Sequence, residues 1–194
     1  HRVKQEAMDH YGVDPRKIVV MHNGVDGSRF NPALRSNRRD WLRDRGVPDH
    51  FIVLFAGSGF RRKGLKRAIE AVSRLRDATL VICGKDKADA CRALARKLKV
   101  DARFLGPRKD IEFAYAAADA LVLPALYDPF PNVCLESMAC GTPIVASEVC
   151  GPTELLTPGT DGFIAGEAEA IAVALESIRG NAAMRRAARA TAER

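Results

Sequence analysis

Short uninterrupted runs of apolar residues recur along this chain and constrain its fold more than any other feature. Three of them lie at residues 51–56, 80–83 and 120–123, and each is followed by a turn and a stretch of helical periodicity. A strand without polar alternation is typical of a parallel sheet covered by helices on both faces. Strands that alternate with helices predict parallel βαβ units. We therefore expect an α/β fold with a Rossmann-like, doubly wound parallel sheet of about six strands.

The rest of the pattern supplies the other predicted elements. Residues 18–21 form a short apolar, β-branched run that predicts a first strand. Residues 35–45 are highly charged with Trp41 and Leu42 on one side, which predicts a surface helix. Further helices are predicted at residues 3–11, 65–75, 88–98, 111–117, 168–178 and 182–192, and further strands at residues 102–106, 144–145 and 162–165.

Length and composition bound the class of protein. The chain has 194 residues, of which 47% are hydrophobic and 28% charged, as expected for one domain over residues 1–194. No apolar run approaches the ~20 residues of a membrane-spanning helix. The chain starts at His1 and shows no signal-peptide pattern. We therefore expect a soluble, monomeric piece of a longer chain.

Cysteine usage and net charge indicate the compartment and the partners. The five cysteines form no C-x-x-C pair and none is spaced with His22 or His50 as zinc ligands are. We therefore expect reduced thiols, no metal site and a cytoplasmic location. The net charge of +7 favours anionic partners such as nucleotides, phosphorylated glycans or acidic lipid surfaces. Nucleic acid is disfavoured, because basic residues are scattered and aromatic residues make up only 6% of the chain.

Residues 127–145 place two carboxylates around one predicted helix start. Asp128 lies in a proline-rich loop after an apolar run, and Glu136 lies about one turn of ~3.6 residues into the following helix. The first backbone amides of that helix lack intrahelical acceptors and form an anion-binding site. They belong to Asn132, Val133, Cys134 and Leu135. A ligand that is anionic in the middle and hydroxylated at both ends, such as a sugar nucleotide, fits this arrangement. The alternative is an ordinary amphipathic helix with a capping Asn132 and a solvated Glu136.

A glycine-rich basic loop at residues 57–64 joins a predicted strand to a predicted helix. It contains Arg61, Arg62 and Lys63, and open α/β sheets bind ligands at this end of their strands. Cationic side chains at that place can meet a diphosphate. No Ser or Thr follows Lys63, so the loop is not a G-x-x-x-x-G-K-[ST] phosphate loop. The alternative is a solvated basic turn.

Both stretches resemble one enzyme family. An acidic residue, seven residues and Glu136, followed by Gly-Thr-Pro-Ile-Val, are similar to the E-x7-E motif of retaining glycosyltransferases of family 4, which have the GT-B fold. The first acid is here Asp128, and Pro-Phe-Pro replaces the usual Gly-Phe-Gly, so that Pro131 cannot donate an N–H. The resemblance implies one half of a GT-B fold, the carboxyl-terminal nucleotide-sugar-binding domain, with the amino-terminal acceptor domain absent.

The resemblance extends to the basic loop and to the loop at residues 106–110. Lys63 matches the family's diphosphate-binding lysine, and Ser58 stands where an arginine is usual, so Arg61 or Arg62 would supply the second cation. The loop around Arg108 is similar to the segment whose backbone reads the nucleotide base. A turn capped by Asp110 fits that loop equally well.

The family implies an activity and a set of roles. It implies metal-independent, retaining transfer of a hexose from a nucleotide sugar, with UDP-glucose expected, to a lipopolysaccharide core or similar glycan. Lys63, Arg62 and the helix start near Asn132 would hold the diphosphate, Glu136 the ribose and Asp128 the hexose. The full-length protein would meet a lipid-linked acceptor at the inner membrane face, and the isolated chain would be inactive.

Three other functions compete with this one. A nucleotide-binding regulatory module without chemistry would share the same site. A glycogen-synthase-like glucosyltransferase would differ in its acceptor. An NAD-dependent oxidoreductase is disfavoured, because no G-x-G-x-x-G opens a helix with an acid ~20 residues further on.

Overall fold

A six-stranded parallel sheet forms the centre of the protein. The computed structural model describes residues 2–194, without the side chains of Arg2 and Pro152. Within that range the strands run in the order β3-β2-β1-β4-β5-β6, and every neighbouring pair is parallel. The strands are β1 (Phe51–Ala56), β2 (Ala78–Cys83), β3 (Asp101–Gly106), β4 (Ala120–Leu123), β5 (Ile144–Ala146) and β6 (Gly162–Ile164). The predicted doubly wound sheet is confirmed.

Helices cover both faces of the sheet. They are α1 (Arg2–Tyr11), α2 (Arg38–Arg43), α3 (Leu65–Val72), α4 (Asp89–Lys97), α5 (Ile111–Ala117), α6 (Asn132–Ala139), α7 (Ala168–Ile178) and α8 (Ala182–Ala192), with 3₁₀ turns at Pro15–Lys17, Pro32–Asn37 and Gly151–Leu155. Helices α3, α4 and α7 pack together on one face, and α2, α5, α6 and α8 on the other. Strands β1 and β4 are therefore buried at every position, as their continuous apolar sequence predicts.

Two predicted elements differ in the structure. Residues 18–21 are not a strand, and Val19 and Met21 are 82% and 85% exposed. The edges of the sheet are β3 and β6, so this apolar run pairs with neither and gains no ladder hydrogen bonds. The predicted helix at residues 35–45 is a 3₁₀ turn followed by the short α2, whose apolar side buries Trp41 and Leu42.

The strand order reverses between β1 and β4. Chain connections leave these two neighbouring strands toward opposite faces of the sheet, which opens a crevice at their carboxyl ends. The loop after β1 carries the predicted basic residues, and the loop after β4 carries Asp128 and leads into α6. The fold thus brings the two predicted motifs to one place.

Candidate functional site at the strand-order switch point

The loops that follow β1 and β4 touch directly. The Leu126 N–H donates to the Arg62 carbonyl at 2.8 Å. Gly64, with φ at +79°, lies so close to the second loop that a Cβ there would be 2.0 Å from the Pro124 carbonyl oxygen. Only glycine fits this approach and this backbone conformation. The two loops therefore form one rigid wall of the crevice.

Lys63 and Asp128 form an ion pair within that wall. Lys63 Nζ lies 3.0 Å from Asp128 Oδ2, and each residue is only 8% exposed. Arg62 approaches the same oxygen at 3.3 Å and donates to the Tyr127 carbonyl at 2.9 Å. Both cations use Oδ2, so Oδ1 lies outside these pairs. The sequence assigned Asp128 and the two cations to different parts of a ligand, and the structure joins them.

The loop conformation separates Arg62 from Arg61. The Asp86 carboxylate accepts the Phe60 N–H at 2.6 Å and fixes the turn just before Arg61. Arg61 lines a different cavity, between the starts of α3 and α4. Ser58 accepts the Lys85 N–H at 3.3 Å and forms no bond with the Lys63 cluster among the described contacts. Arg62 is thus the arginine that the fold brings beside Lys63.

Helix α6 begins at Asn132, immediately after the loop of Asp128. Pro131 is the residue at the N-cap position and has no side chain able to cap, so the alternative of a capping Asn132 is wrong. Asn132 Oδ1 instead accepts from Asn23 Nδ2 at 2.7 Å. The Cys134 N–H already donates to the Pro131 carbonyl at 3.1 Å. The amides of Asn132 and Val133, at the first two helical positions, have no intrahelical acceptor and are therefore able to donate to a ligand.

Glu136 is held by a buried tyrosine. Its Oε2 accepts from the Tyr115 hydroxyl at 2.8 Å, and Glu136 itself is half-buried. Burial, and then the neighbouring Glu136 charge, raise the pKa of Tyr115 well above its usual value, so the phenol stays a donor. The alternative of a freely solvated Glu136 is therefore wrong. Leu135 is buried beside it.

Arg108 lies apart from this cluster, after β3. Its guanidinium donates to both oxygens of Asp110 at 2.8 and 2.9 Å, and Arg45 approaches the same carboxylate at 2.7 Å. Hydrogen bonds from Arg108 lower the pKa of Asp110 to about 2. Asp110 occupies the N-cap position of α5 but makes no side-chain cap bond, because both arginines engage it.

Three contributions were not predicted from the sequence. The first is the bond from Tyr115, which lies on the apolar side of α5, where an aromatic residue is expected to pack in the core. The second is the bond from Asn23, which is 109 residues away from Asn132. Cys150 pairs with Asp128 as an isolated bridge, and the Gly151 N–H donates to the Asp128 carbonyl at 3.2 Å. The turn at residues 148–151 therefore holds the backbone of the Asp128 loop.

The described residues contain neither a membrane-spanning helix nor a metal-binding cluster of side chains. Across residues 2–194, no helix has the length and apolar character needed to cross a membrane. Within the same range, no group of three or more His, Cys, Asp or Glu side chains is placed to hold a metal ion.

Known proteins share both the sequence pattern and the fold. The family model for "Glycosyl transferases group 1" matches residues 37–194. A D-inositol 3-phosphate glycosyltransferase of Pseudarthrobacter chlorophenolicus is 37% identical over 174 residues, covering 82% of this chain and 40% of the relative. The lipopolysaccharide glucosyltransferase WaaG of Escherichia coli is 29% identical over 167 residues, covering 81% of this chain and 45% of the relative.

Solved structures agree with these sequence relatives. A crystal structure of WaaG superposes with a TM-score of 0.86 at 26% identity, covering 97% of this chain and 55% of that one. Anabaena HepE in complex with UDP-glucose gives 0.86 at 26% identity, covering 97% of this chain and 56% of that one. A carboxyl-terminal domain of a group 1 family protein from Francisella tularensis shares the fold, with a TM-score of 0.74 and 97% of its chain covered.

The chain spans about half the length of the longer relatives and structures that it matches. It spans 40% and 45% of the two curated relatives and 55% and 56% of the two longer structures. By contrast, it covers nearly all of the isolated carboxyl-terminal domain. The chain therefore belongs to the group 1 glycosyl transferases, and it has the fold of one half of a GT-B glycosyltransferase.

Proposed function

We propose that this chain is the donor-binding domain of a retaining hexosyltransferase that uses UDP-glucose and a glycan acceptor. The observation that carries the proposal is the cluster of Lys63, Arg62 and Asp128 beside the start of α6, with Glu136 one turn further on. This cluster offers cations and amides in the middle and a carboxylate on each side. HepE, whose structure holds UDP-glucose, supports the same type of donor.

The proposed chemistry uses this charge distribution. During transfer the bond between the anomeric carbon and the β-phosphate oxygen breaks, and negative charge grows on the departing UDP. Lys63, Arg62 and the amides of Asn132 and Val133 stabilise that charge from fixed positions. The acceptor oxygen then bonds to the anomeric carbon on the face from which UDP left, and its proton goes to the departing phosphate or to solvent.

The ion pair of Lys63 with Asp128 has a consequence for donor binding. A diphosphate that reaches Lys63 and Arg62 meets cations that Asp128 already partly neutralises. The ion pair holds the Lys63 ammonium in place before the ligand arrives, which reduces the ordering cost of binding. We assign Asp128, through its remaining oxygen, to hydroxyls of the hexose, and Glu136 to the ribose.

The nucleotide base is assigned to the loop after β3. The Arg108 guanidinium is engaged by Asp110, so the backbone of residues 106–108 rather than the side chain is left to read the base. We place Ser58 and Leu135 at the margins of the nucleotide. Arg61 is not assigned to the diphosphate, because it lines another cavity.

We further propose that donor binding is independent of metal ions. Two cations and a helix start supply positive charge at the position where a divalent ion would otherwise offset the diphosphate. Calorimetric titration of the chain with UDP should give the same affinity with EDTA as with magnesium or manganese. Binding that appears only with a divalent ion would contradict this assignment.

The acceptor has two candidates from the relatives. WaaG is named for lipopolysaccharide, and we favour a lipopolysaccharide core or similar glycan. The relative at 37% identity is named for D-inositol 3-phosphate, which makes a phosphorylated cyclitol the second candidate. We place the reaction in the cytoplasm, because all five cysteines are free and buried, as in a reducing compartment.

A transfer assay tests the function. The complete gene product is incubated with radiolabelled UDP-glucose and either truncated lipopolysaccharide or inositol 3-phosphate, beside the present chain. We expect transfer by the complete product to one acceptor and none by the chain alone, because holding both reactants together supplies ~7–11 kcal/mol of the barrier. UDP binding without turnover by any form would instead indicate a regulatory module.

A further inference from the structure

A second cavity lies between the amino-terminal ends of α3 and α4. Its volume is about 500 Å³, within the range of small-molecule sites. Its walls include Phe60, Arg61, Lys66, Lys87, Cys91 and Leu126. Helices α3 and α4 pack on the face of the sheet opposite to α6. The cavity, hereafter the α3–α4 cavity, shares Gly64 and Leu126 with the wall of the crevice, but its lining does not include Lys63 or Asp128.

The rim of the α3–α4 cavity carries uncompensated positive charge. Arg61, Lys66 and Lys87 are exposed, and none of them forms an ion pair with any residue that the structure describes. The fourth cation, Arg67, reaches only the exposed Glu167 at 3.5 Å. Among the lining residues, the acid is Asp86, and it already accepts backbone N–H groups of Phe60 and Lys87 at 2.6 and 2.7 Å. This rim is suited to an anion.

The interior of the cavity is apolar. Phe60 and Cys91, which both line the cavity, are only 4% and 6% exposed. Leu126, another lining residue, is 53% exposed and adds apolar surface to the cavity. Binding of free phosphate alone would require the cations, but it would not require the exposed leucine or the apolar interior. The combination fits a ligand with an anionic head and an adjoining apolar segment.

We propose that the α3–α4 cavity binds the phosphate head and the adjoining apolar segment of an anionic phospholipid. Lysine and arginine side chains bury their methylene stems in apolar surroundings while the charged ends meet phosphates. Leu126 lies two residues before Asp128, and its N–H bonds to the Arg62 carbonyl. A lipid in this cavity therefore holds the switch-point crevice next to a membrane surface. The proposal does not depend on which nucleotide sugar the crevice takes.

Vesicle co-sedimentation tests the proposal. Binding of the chain to phosphatidylglycerol-containing vesicles is compared with binding to pure phosphatidylcholine vesicles. The double variant Lys66→Ala/Lys87→Ala should bind the anionic vesicles roughly tenfold more weakly. The control Arg39→Ala/Lys97→Ala removes two exposed cations that also lack ion pairs among the described residues, and it should lose less than about twofold. Equal losses in both variants would show that general basicity, not the cavity, attracts the vesicles.

Cys91 provides a readout inside the cavity. It is 6% exposed, whereas the other four cysteines are at most 2% exposed, so a small maleimide should modify Cys91 first. Short-chain phosphatidylglycerol should slow this modification several-fold in the wild type, and inorganic phosphate should not. Protection by phosphate to the same degree would identify a free-anion site and overturn the lipid assignment. Leu126→Ser should weaken lipid protection, while its urea unfolding, which monitors folding, should stay near that of the wild type.

Discussion

The Tyr115 hydroxyl donates to Glu136 Oε2 at 2.8 Å and so links α5 to α6, one turn after the start of α6. Tyr115 is fully buried and has no other described side-chain partner for its hydroxyl, whereas Glu136 is half-buried at the crevice. The bond satisfies a buried hydroxyl and fixes the orientation of the carboxylate at the same time. A core residue thereby sets the geometry of a carboxylate that we assign to the ligand.

Substitution of Glu136 should weaken UDP binding. Glu136→Ala removes a charged acceptor for the ribose hydroxyls, and such a loss costs roughly 1.5–3 kcal/mol, or about tenfold or more in affinity. The variant also leaves the Tyr115 hydroxyl unpaired in the core. Glu136→Gln is the matched control, because its amide oxygen can still accept from Tyr115 and should keep the free energy of unfolding near that of the wild type. Calorimetry and urea unfolding separate the two effects; unchanged UDP affinity in both variants would argue against the ribose assignment.

Tyr115→Phe should reduce UDP affinity less than Glu136→Ala does. The phenylalanine preserves packing but releases the carboxylate, which then has to be ordered when the nucleotide binds. In a Glu136→Ala background the same substitution should have no further effect on UDP affinity, because its influence passes through the carboxylate. A double-mutant cycle measures this coupling. Additive losses would show that Tyr115 acts by another route.

Asp128 should behave differently from Glu136. Asp128→Ala removes the counter-charge of Lys63 and Arg62, so the affinity for free UDP should fall less than in Glu136→Ala, while the preference for UDP-glucose over UDP should be lost. The nearly buried Lys63 is then unpaired, and we expect the free energy of unfolding to fall by about 2 kcal/mol. At a fixed UDP concentration, the gain in stability should be smaller for this variant than for the wild type, because ligand stabilisation follows affinity. Equal losses of UDP affinity in both variants would contradict the division of roles.

Most of the fold was predictable because its strands are buried on both faces. Continuous apolar sequence predicted β1, β2 and β4, and shorter apolar runs predicted the three-residue strands β5 and β6. The run at residues 18–21 has the same local composition but no sheet edge beside it. The local sequence indicates strand propensity. Whether a strand forms also depends on a neighbouring strand in the assembled sheet with which it can pair.

The site was predictable in its positions but not in its contacts. The motifs located Lys63, Asp128 and Glu136, yet the bond between Lys63 and Asp128 joins residues 65 positions apart that meet only because β4 lies beside β1. Tyr115 was not predicted to contact the site, because an aromatic residue on an apolar helix face is expected to pack in the core. Pairings that depend on strand order, and polar atoms on otherwise apolar residues, are not visible in local patterns.

The pairing of Asp110 with Arg108 should stabilise the protein at neutral pH, and this stabilisation should be lost in acid. Hydrogen bonds from Arg108 lower the folded-state pKa of Asp110 to about 2, below its usual value of 3.8. A lowered pKa gives stability that is present above about pH 4 and is lost as the pH falls toward 2. The Asp110 side chain is 30% exposed, so screening limits this contribution to about 1 kcal/mol. Asp110→Asn should lower the free energy of unfolding at pH 7 and flatten its dependence between pH 4 and 2, which urea titrations would show; an unchanged slope would contradict the pairing.

The contact between Gly64 and Pro124 should be the least tolerant point of the switch-point wall. A Cβ at Gly64 would lie 2.0 Å from the Pro124 carbonyl oxygen, and φ at +79° adds strain for any L side chain. Gly46→Ala is a matched control, because Gly46 has a φ of +60° with no atom within 4 Å of its added Cβ. The control should cost about 1–2 kcal/mol of unfolding free energy from backbone strain alone.

Gly64→Ala should therefore cost roughly 3 kcal/mol or more, because overpacking adds to the same strain. Its neighbour Lys63 must move when the two loops separate, so the variant should also lose UDP affinity, whereas Gly46→Ala should keep it. Urea unfolding at pH 7 gives the stability of both variants, and UDP calorimetry below the unfolding transition gives the affinity. If the two alanine variants lose equal stability and both retain UDP binding, close approach of the loops does not position Lys63.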